Sequence, residues 1–322
     1  VPVAFVTGIS GQDGGYLAEA LIADGYEVHG LVRHPDPAAP GLLERTPGVH
    51  LHEGDLSDAS GIWRVIDEVE PDEIYNLGGI SSVAFSWAQP LLTAQVTGLG
   101  AGVLLDAAWT LQQRKGRPVR LLQASSAEIF GRAEQSPQDE QTPLRPVTPY
   151  GAAKAFAHNL VSVYRGRGLF ASACILYNHE SPRRPESFVT RKITAAAARI
   201  AAGRQQTLTL GNLDVRRDWG WAPDYVEAMV RAIRHDEPGD YVVATGVARP
   251  VRDFVAAAFG HAGVPDWESR VEIDASLVRP AESVEQVGDA AKARRVLGWE
   301  PTVSFEEMVS VMVDNDRMLA NG

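Results

Sequence analysis

The sequence predicts an α/β fold, a doubly wound parallel sheet with a smaller C-terminal lobe, and two observations carry this. Through residue 176, short apolar strand patterns alternate with helical ones, which is the rhythm of right-handed β-α-β crossovers. A glycine-rich turn, Thr7-Gly8-Ile9-Ser10-Gly11-Gln12-Asp13-Gly14, lies between the first strand and the first helix. The chain has 322 residues, enough for one large domain and a second lobe.

Val3–Thr7 reads as the first strand, and 14–24 as a helix with Leu17, Ala20 and Leu21 repeating along it and an end near Gly25. Glu27–Val32 is the second strand. Prolines and glycines bunch over 35–48, which predicts a loop. Strands follow at 50–53, 73–77 and 119–124, with helices at 62–69, 91–109 and 150–165, and Phe170–Leu176 is the sixth strand. The rhythm then changes. A polar, proline-bearing loop is expected over 178–186 and a helix over 188–202. Shorter segments follow at 207–210, 224–234, 241–244, 251–261, 289–297 and 305–319. The division is 1–176 for the dinucleotide-type domain and 177–322 mainly for the second lobe, with some later segments returning to the first.

Composition narrows the function classes. Hydrophobic content of 45% and charged content of 22% are ordinary for a globular chain. The net charge of -11 argues against broad nucleic-acid binding. No apolar run approaches the ~20 residues of a membrane span, and Val1 leads into a strand with no basic-then-apolar leader ahead of it. No membrane partner is expected. The single cysteine, Cys174, lies in an apolar strand and reads as a core residue; the cytoplasm is the expected compartment. No metal site is assigned.

The glycine turn suits a dinucleotide and makes the fold Rossmann-type. Gly8 permits the tight turn, Gly11 lets backbone amides approach a pyrophosphate, and Gly14 lets helix and strand pack closely. After the second strand stands Arg33, which suits a 2′-phosphate and so favours NADP over NAD. The alternative is an Arg33 that faces solvent, with Asp36 serving a 2′-hydroxyl. Asp55 and Leu56 are placed for the adenine edge, and Leu77, Gly78 and Ser81 for the nicotinamide ribose.

Tyr150-Gly-Ala-Ala-Lys154 opens a helix, and the spacing of four puts phenol and ammonium on one face. A lysine there is expected to lower the phenol pKa, so that Tyr150 takes a hydroxyl proton while hydride leaves the same carbon. Glu128 follows Ser125-Ser126 at the carboxyl end of the fifth strand, where catalytic groups gather.

With these motifs in hand, the chain resembles the extended short-chain dehydrogenase/reductase family, and within it the GDP-mannose 4,6-dehydratases. The resemblance runs along nearly the whole chain. It rests on the glycine turn with Gln12-Asp13, 53–56, 75–78, 123–131, Tyr150 to Lys154, Asn178-His-Glu-Ser-Pro-Arg-Arg184, 188–193, 210–214 and Arg217-Asp-Trp-Gly220. It implies bound NADP, a substrate that is GDP-mannose or a related sugar nucleotide, and a homodimer or homotetramer. It assigns Ser126 to the C4 oxygen and Glu128 to removal of the C5 proton, with Tyr150 and Lys154 completing the catalytic set. His179 and Arg184 match positions near the cofactor. Ser82, Asn178, Val189, Lys192, Arg217, Arg279 and Glu282 match substrate-side positions; for any one of the cations the plain alternative is a surface charge, and for His179 a buried structural histidine. The chain departs from the family at His34-Pro-Asp-Pro-Ala-Ala-Pro40, where an Arg/Ser-rich segment is usual, and at Ala127, Ile80 and Leu92. A sugar-nucleotide reductase or epimerase, and a non-catalytic NADP-binding protein, remain alternatives.

Overall fold

The computed structural model describes residues 1–277 and 285–321. The chain opens with β1 (Val3–Thr7), α1 (Gln12–Ala23), β2 (Glu27–Val32), α2 (Ala39–Arg45), β3 (Val49–Glu53), α3 (Ala59–Val69) and β4 (Glu73–Asn76). It continues through α4 (Val83–Ala88), α5 (Pro90–Thr93), α6 (Gly100–Lys115), β5 (Arg120–Ser126), α7 (Pro149–Gly166) and β6 (Phe170–Leu176). The later elements are β7 (Asn178–Glu180), α8 (Val189–Ala201), β8 (Leu208–Leu210), β9 (Arg216–Trp221), α9 (Ala222–Arg234), β10 (Asp240–Val243), β11 (Ala248–Pro250), α10 (Val251–Ala262), β12 (Val271–Ile273), β13 (Glu285–Gln286) and α11 (Phe305–Asn321).

Seven parallel strands form the main sheet in the order β10-β6-β5-β4-β1-β2-β3. Strand order reverses between β1 and β4, so a crevice opens at their carboxyl ends. Such strands are covered on both faces and read as near-continuous apolar runs. One face buries Leu17, Leu21, Val28 and Met229 under α1 and α9; the other buries Phe5, Ile62, Ile74, Leu104 and Val161 under α3, α6 and α7. β10 pairs with β6 (Tyr241↔Cys174), so residues 240–243 belong to the main sheet. Cys174 is fully buried there, and burial pushes its thiol pKa well up.

The second layer is a small sheet centred on β9, which pairs with β7, β11 and β13. Behind it, α8, α10 and α11 enclose a separate core around Phe254, Phe259, Met308 and Met312. Three sequence expectations change here. Residues 39–45 form a helix inside the expected loop, because Pro40 falls in its first turn, where a missing N–H costs nothing. Asn178–Glu180 is a strand within the expected 178–186 loop, since its backbone pairs with β9, which periodicity did not reveal either. Pro90–Lys115 is one helical run, long and apolar enough by length and composition to cross a membrane, contrary to the expectation that no run approaches that size. Half of its most apolar stretch is buried, with α6 packed on α3 and α7 inside the domain.

Candidate active site

Every described residue assigned from the sequence to catalysis, cofactor or substrate lines one cleft of ≈ 1130 Å³. The main domain contributes Gly8, Gly11, Gln12, Asp13, Gly14, Arg33, Asp55, Leu56, Leu77, Gly78, Ser81, Ser82, Ser126, Glu128, Tyr150 and Lys154. The second lobe contributes Asn178, His179, Arg184, Val189, Lys192 and Arg217. Arg279 and Glu282 lie outside the described residues.

The glycine turn is a cradle that a side chain would fill. Gly8 has φ +68°, and a Cβ on it would meet Gly78 N at 2.9 Å; one on Gly14 would meet Gly8 O at 2.3 Å. Backbone atoms cannot yield as a flexible side chain can, so these positions are closed to larger residues. Thr7 Oγ1 joins the ends of β1 and β4, accepting from Gly78 N at 2.9 Å and donating to Asn76 Oδ1 at 2.7 Å. Ser125 Oγ is buried at the same mouth without a protein partner. A tight backbone cradle at a helix N-terminus with a spare buried hydroxyl beside it fits a dinucleotide. Arg33 is exposed at the far end, next to Asp36, whose carboxylate accepts from Ser10 Oγ at 2.6 Å. Asp55 is capped by Ser57 N and Oγ at 2.8 and 2.7 Å; burial raises its pKa, but these bonds and Arg33 bring it below the usual range.

The 178–184 segment fastens onto this turn. Gln12 Nε2 donates to His179 O at 3.1 Å, and Gln12 Oε1 accepts from Ser181 Oγ at 2.8 Å. His179 is buried, stacked on Tyr225 at 4.7 Å, with Nδ1 2.7 Å from Tyr177 O and Nε2 2.9 Å from Asp13 Oδ2. Both ring nitrogens thus lie within hydrogen-bond distance of oxygens, which fixes the ring between β7 and α1. Burial alone would raise the Asp13 pKa, but His179, Arg184 and Gln12 outweigh it and hold the carboxyl down at about 2. Arg184 donates to Glu180 (Nε to Oε2, 2.8 Å) and to His179 O, and Glu180 also accepts from Thr190 Oγ1 at 2.6 Å.

Tyr150 and Lys154 sit in the first turns of α7, whose N-cap Thr148 accepts from Gly151 N at 2.9 Å. Lys154 Nζ is buried 5.9 Å from the Tyr150 ring centroid and donates to Ala124 O at 2.9 Å. Burial lowers its pKa to about 8, against a smaller opposing pull from Asp13. The Tyr150 phenol departs from expectation. Burial pushes its pKa up to about 12, and although Ser126 and Arg184 pull down, Glu128 and Asp13 push up. Lys154 is not among the groups that lower it: its Nζ donates to Ala124 O and stands 5.9 Å from the phenol ring centroid. Glu128 lies in the single turn Ala127–Ile129 that leaves β5; its N–H donates to Ser126 Oγ at 3.2 Å.

On the substrate side, Lys192 Nζ donates to Thr209 O at 2.7 Å and Arg217 Nη1 to Arg216 O at 2.9 Å. Ser82 caps α4, accepting from Phe85 N at 3.2 Å.

The GDP-mannose 4,6 dehydratase family model matches residues 5–312. The chain belongs to that family. Its relatives include GDP-mannose 4,6 dehydratase 1 of Arabidopsis thaliana, 47% identical over 99% of this chain and 90% of the relative. The Homo sapiens GDP-mannose 4,6 dehydratase is 44% identical over 98% of this chain and 91% of its own. Among solved structures, the Thermus thermophilus UDP-glucose 4-epimerase complex with NAD aligns with TM-score 0.83 and 29% identity, covering 98% of this chain and 99% of that one. RMD from Pseudomonas aeruginosa complexed with NADPH aligns with TM-score 0.80 and 25% identity, covering 99% and 100%.

For this member of the GDP-mannose 4,6-dehydratase family, the sequence reading missed three features, one in the cleft and two behind it. Gln286 donates to Glu128 Oε1 at 3.2 Å across 158 positions of sequence, a contact no local pattern announces. Asp218 of the Arg-Asp-Trp-Gly motif is fully buried and accepts from Thr245 N, Gly246 N and Thr245 Oγ1 at 2.9, 2.8 and 2.6 Å, so it orders loops rather than facing the cleft. Gly220 of the same motif admits Tyr225, which a Cβ there would meet at 2.4 Å. An acid and a glycine flanking Trp219 were the available signals.

Proposed function

We propose that this protein is a GDP-mannose 4,6-dehydratase working with NADP. The observation that carries the reading is Glu128 beside Ser126, Tyr150 and Lys154 in one cleft, since a 4-reductase or a 4-epimerase, which changes only C4, has no use for a base at C5. NADP, held by the glycine turn and by Lys154, would supply a hydride acceptor for C4 and then a hydride donor for C6. Ser126 holds the C4 oxygen and Tyr150 takes its proton. Lys154, fixed to Ala124 O, keeps its ammonium on the Tyr150 side of the cleft. With C4 a ketone, the C5 proton is acidified; Glu128 removes it, and the C6 hydroxyl leaves as water.

NADP rather than NAD rests on Arg33 at the end of β2. Lys192 and Arg217 are the described cations suited to the substrate's diphosphate. A homo-oligomer is supported by exposed apolar side chains on neighbouring helices: Leu91 and Leu99 before α6, and Phe156 and Val163 on α7. The test is incubation with a panel of nucleoside-diphosphate hexoses without added reductant, followed by mass analysis. The reading expects a product 18 mass units lighter (about one water lost) from GDP-mannose. Turnover of another sugar nucleotide alone would reassign the substrate, and stoichiometric use of NADPH would favour a reductase.

A further inference from the structure

We propose that Gln286 is a positioning residue that aims the Glu128 carboxylate through a hydrogen bond; this rests on the dehydratase reading above. Glu128 stands on a single helical turn, which by itself fixes a long side chain poorly. Its carboxylate is met by Gln286 Nε2, 3.2 Å from Oε1. Gln286 is only 4% exposed, so it is held rather than free to swing.

The platform under it is built from four directions. β13 pairs with β9, placing Gln286 opposite Arg217. Gln138 exchanges backbone bonds with the following residues, its N–H donating to Val287 O at 2.9 Å and its carbonyl accepting from Asp289 N at 2.7 Å. Gln138 Oε1 accepts from Tyr177 OH at 2.9 Å and Val287 N at 3.3 Å. Buried Asp218 accepts from Gly288 N at 3.4 Å. Strand β13 is thus tied to both lobes, and its amide reaches Glu128 with little freedom.

An amide suits the task. It donates to a carboxylate but carries no charge, so it favours the ionised base without turning it into a tight ion pair that could not accept a proton. In the step concerned, the C5–H bond breaks and its proton goes to Glu128. The electron pair becomes the C5–C6 double bond as the C6–O bond breaks, and the hydroxyl departs as water with a proton returned from Glu128. A base that both takes and gives the proton must be held between C5 and O6. The other charged or titratable groups lining the cleft include Tyr150 and Lys154 from α7, Asp13 from α1, His179 and Glu180 on β7, Arg184 beyond β7, Lys192 on α8 and Arg217 on β9, with Tyr177, Arg33, Asp36 and Asp55 lining it as well.

The experiment compares the NADP-loaded protein with its Gln286→Leu and Gln286→Glu variants. One readout is the pH profile of kcat for dehydration. The other is the infrared carboxylate titration, with Glu128→Gln subtracted to isolate Glu128. Gln286→Leu is expected to move the acid limb and the infrared midpoint up by about one pH unit, and to lower kcat roughly 10- to 100-fold with KM nearly constant. Gln286→Glu moves both midpoints further, because a second carboxylate competes for the same proton. Loss of activity with both midpoints unmoved, or unchanged profiles in both variants, would overturn the proposal. If the wild type makes no dehydrated product, the dehydratase reading fails, and the infrared midpoints still decide whether Gln286 governs Glu128.

Discussion

Replacing Asp13 by Asn should destabilise the protein by about 2 kcal/mol at neutral pH, and the size follows from one cluster. The carboxyl is held at about 2 against an ordinary 3.8. Burial opposes this, and His179, Arg184 and Gln12 overcome it. Nearly two pKa units correspond to somewhat over 2 kcal/mol of preference for the ionised, folded state. Asparagine keeps an oxygen for His179 Nε2 but removes the charge. The sign is that of a depressed acid: the contribution is full above pH 4 or so, roughly half gone by pH 3, and lost as pH falls through about 2. Urea unfolding of both proteins at pH 7, then at steps down to pH 3, measures it. The wild type should be more stable at pH 7, and the gap should close by about half at pH 3. Coincident curves at pH 7, or a gap that does not change with pH, would refute the assignment of that charge to His179 and Arg184.

Gly14→Ala should abolish measurable NADP binding, because its Cβ would lie 2.3 Å from Gly8 O, whereas Gly15→Ala, whose Cβ meets only the far ends of the Arg183 and Arg45 side chains at 3.3 and 4.0 Å, should bind nearly as wild type; fluorescence titration distinguishes them. With Lys154 at about 8, turnover should fall as pH rises through that value and the ammonium is lost, and Lys154→Met should remove this limb from the pH profile while lowering kcat about 100-fold or more. Arg33→Ala should weaken NADP about tenfold and leave NAD affinity nearly unchanged, as calorimetry on both dinucleotides would show.

What the sequence made legible was local. The glycine turn announces itself because three glycines between a strand and a helix have few other uses, and Tyr150 with Lys154 because a spacing of four is one helical face. The parallel, doubly wound character of the sheet followed from the alternation of strand and helix patterns. What stayed hidden depends on partners far along the chain. β7 exists because Asn178–Glu180 finds Trp219–Gly220–Trp221 beside it, and neither segment alternates enough to predict a strand. Helix 39–45 was masked by Pro40 and Gly41 in its first turn and by Pro35, Pro37 and Pro47 on either side. The Tyr150 phenol was misjudged because proximity of a lysine is readable from spacing, whereas burial, the larger effect, is not. Gln286 lies beside Glu128 only after β13 docks on β9.

The most direct test of the mechanism is Glu128→Gln, mixed with NADP and GDP-mannose and followed by nicotinamide absorbance together with the mass of the sugar nucleotide. Cofactor should still bind and reduced nicotinamide should appear, while formation of the dehydrated sugar slows by ~10²–10⁴-fold, because oxidation at C4 does not need the carboxylate and elimination does. Dehydrated product at the wild-type rate would contradict the account, since no other carboxylate in the cleft has been given that work.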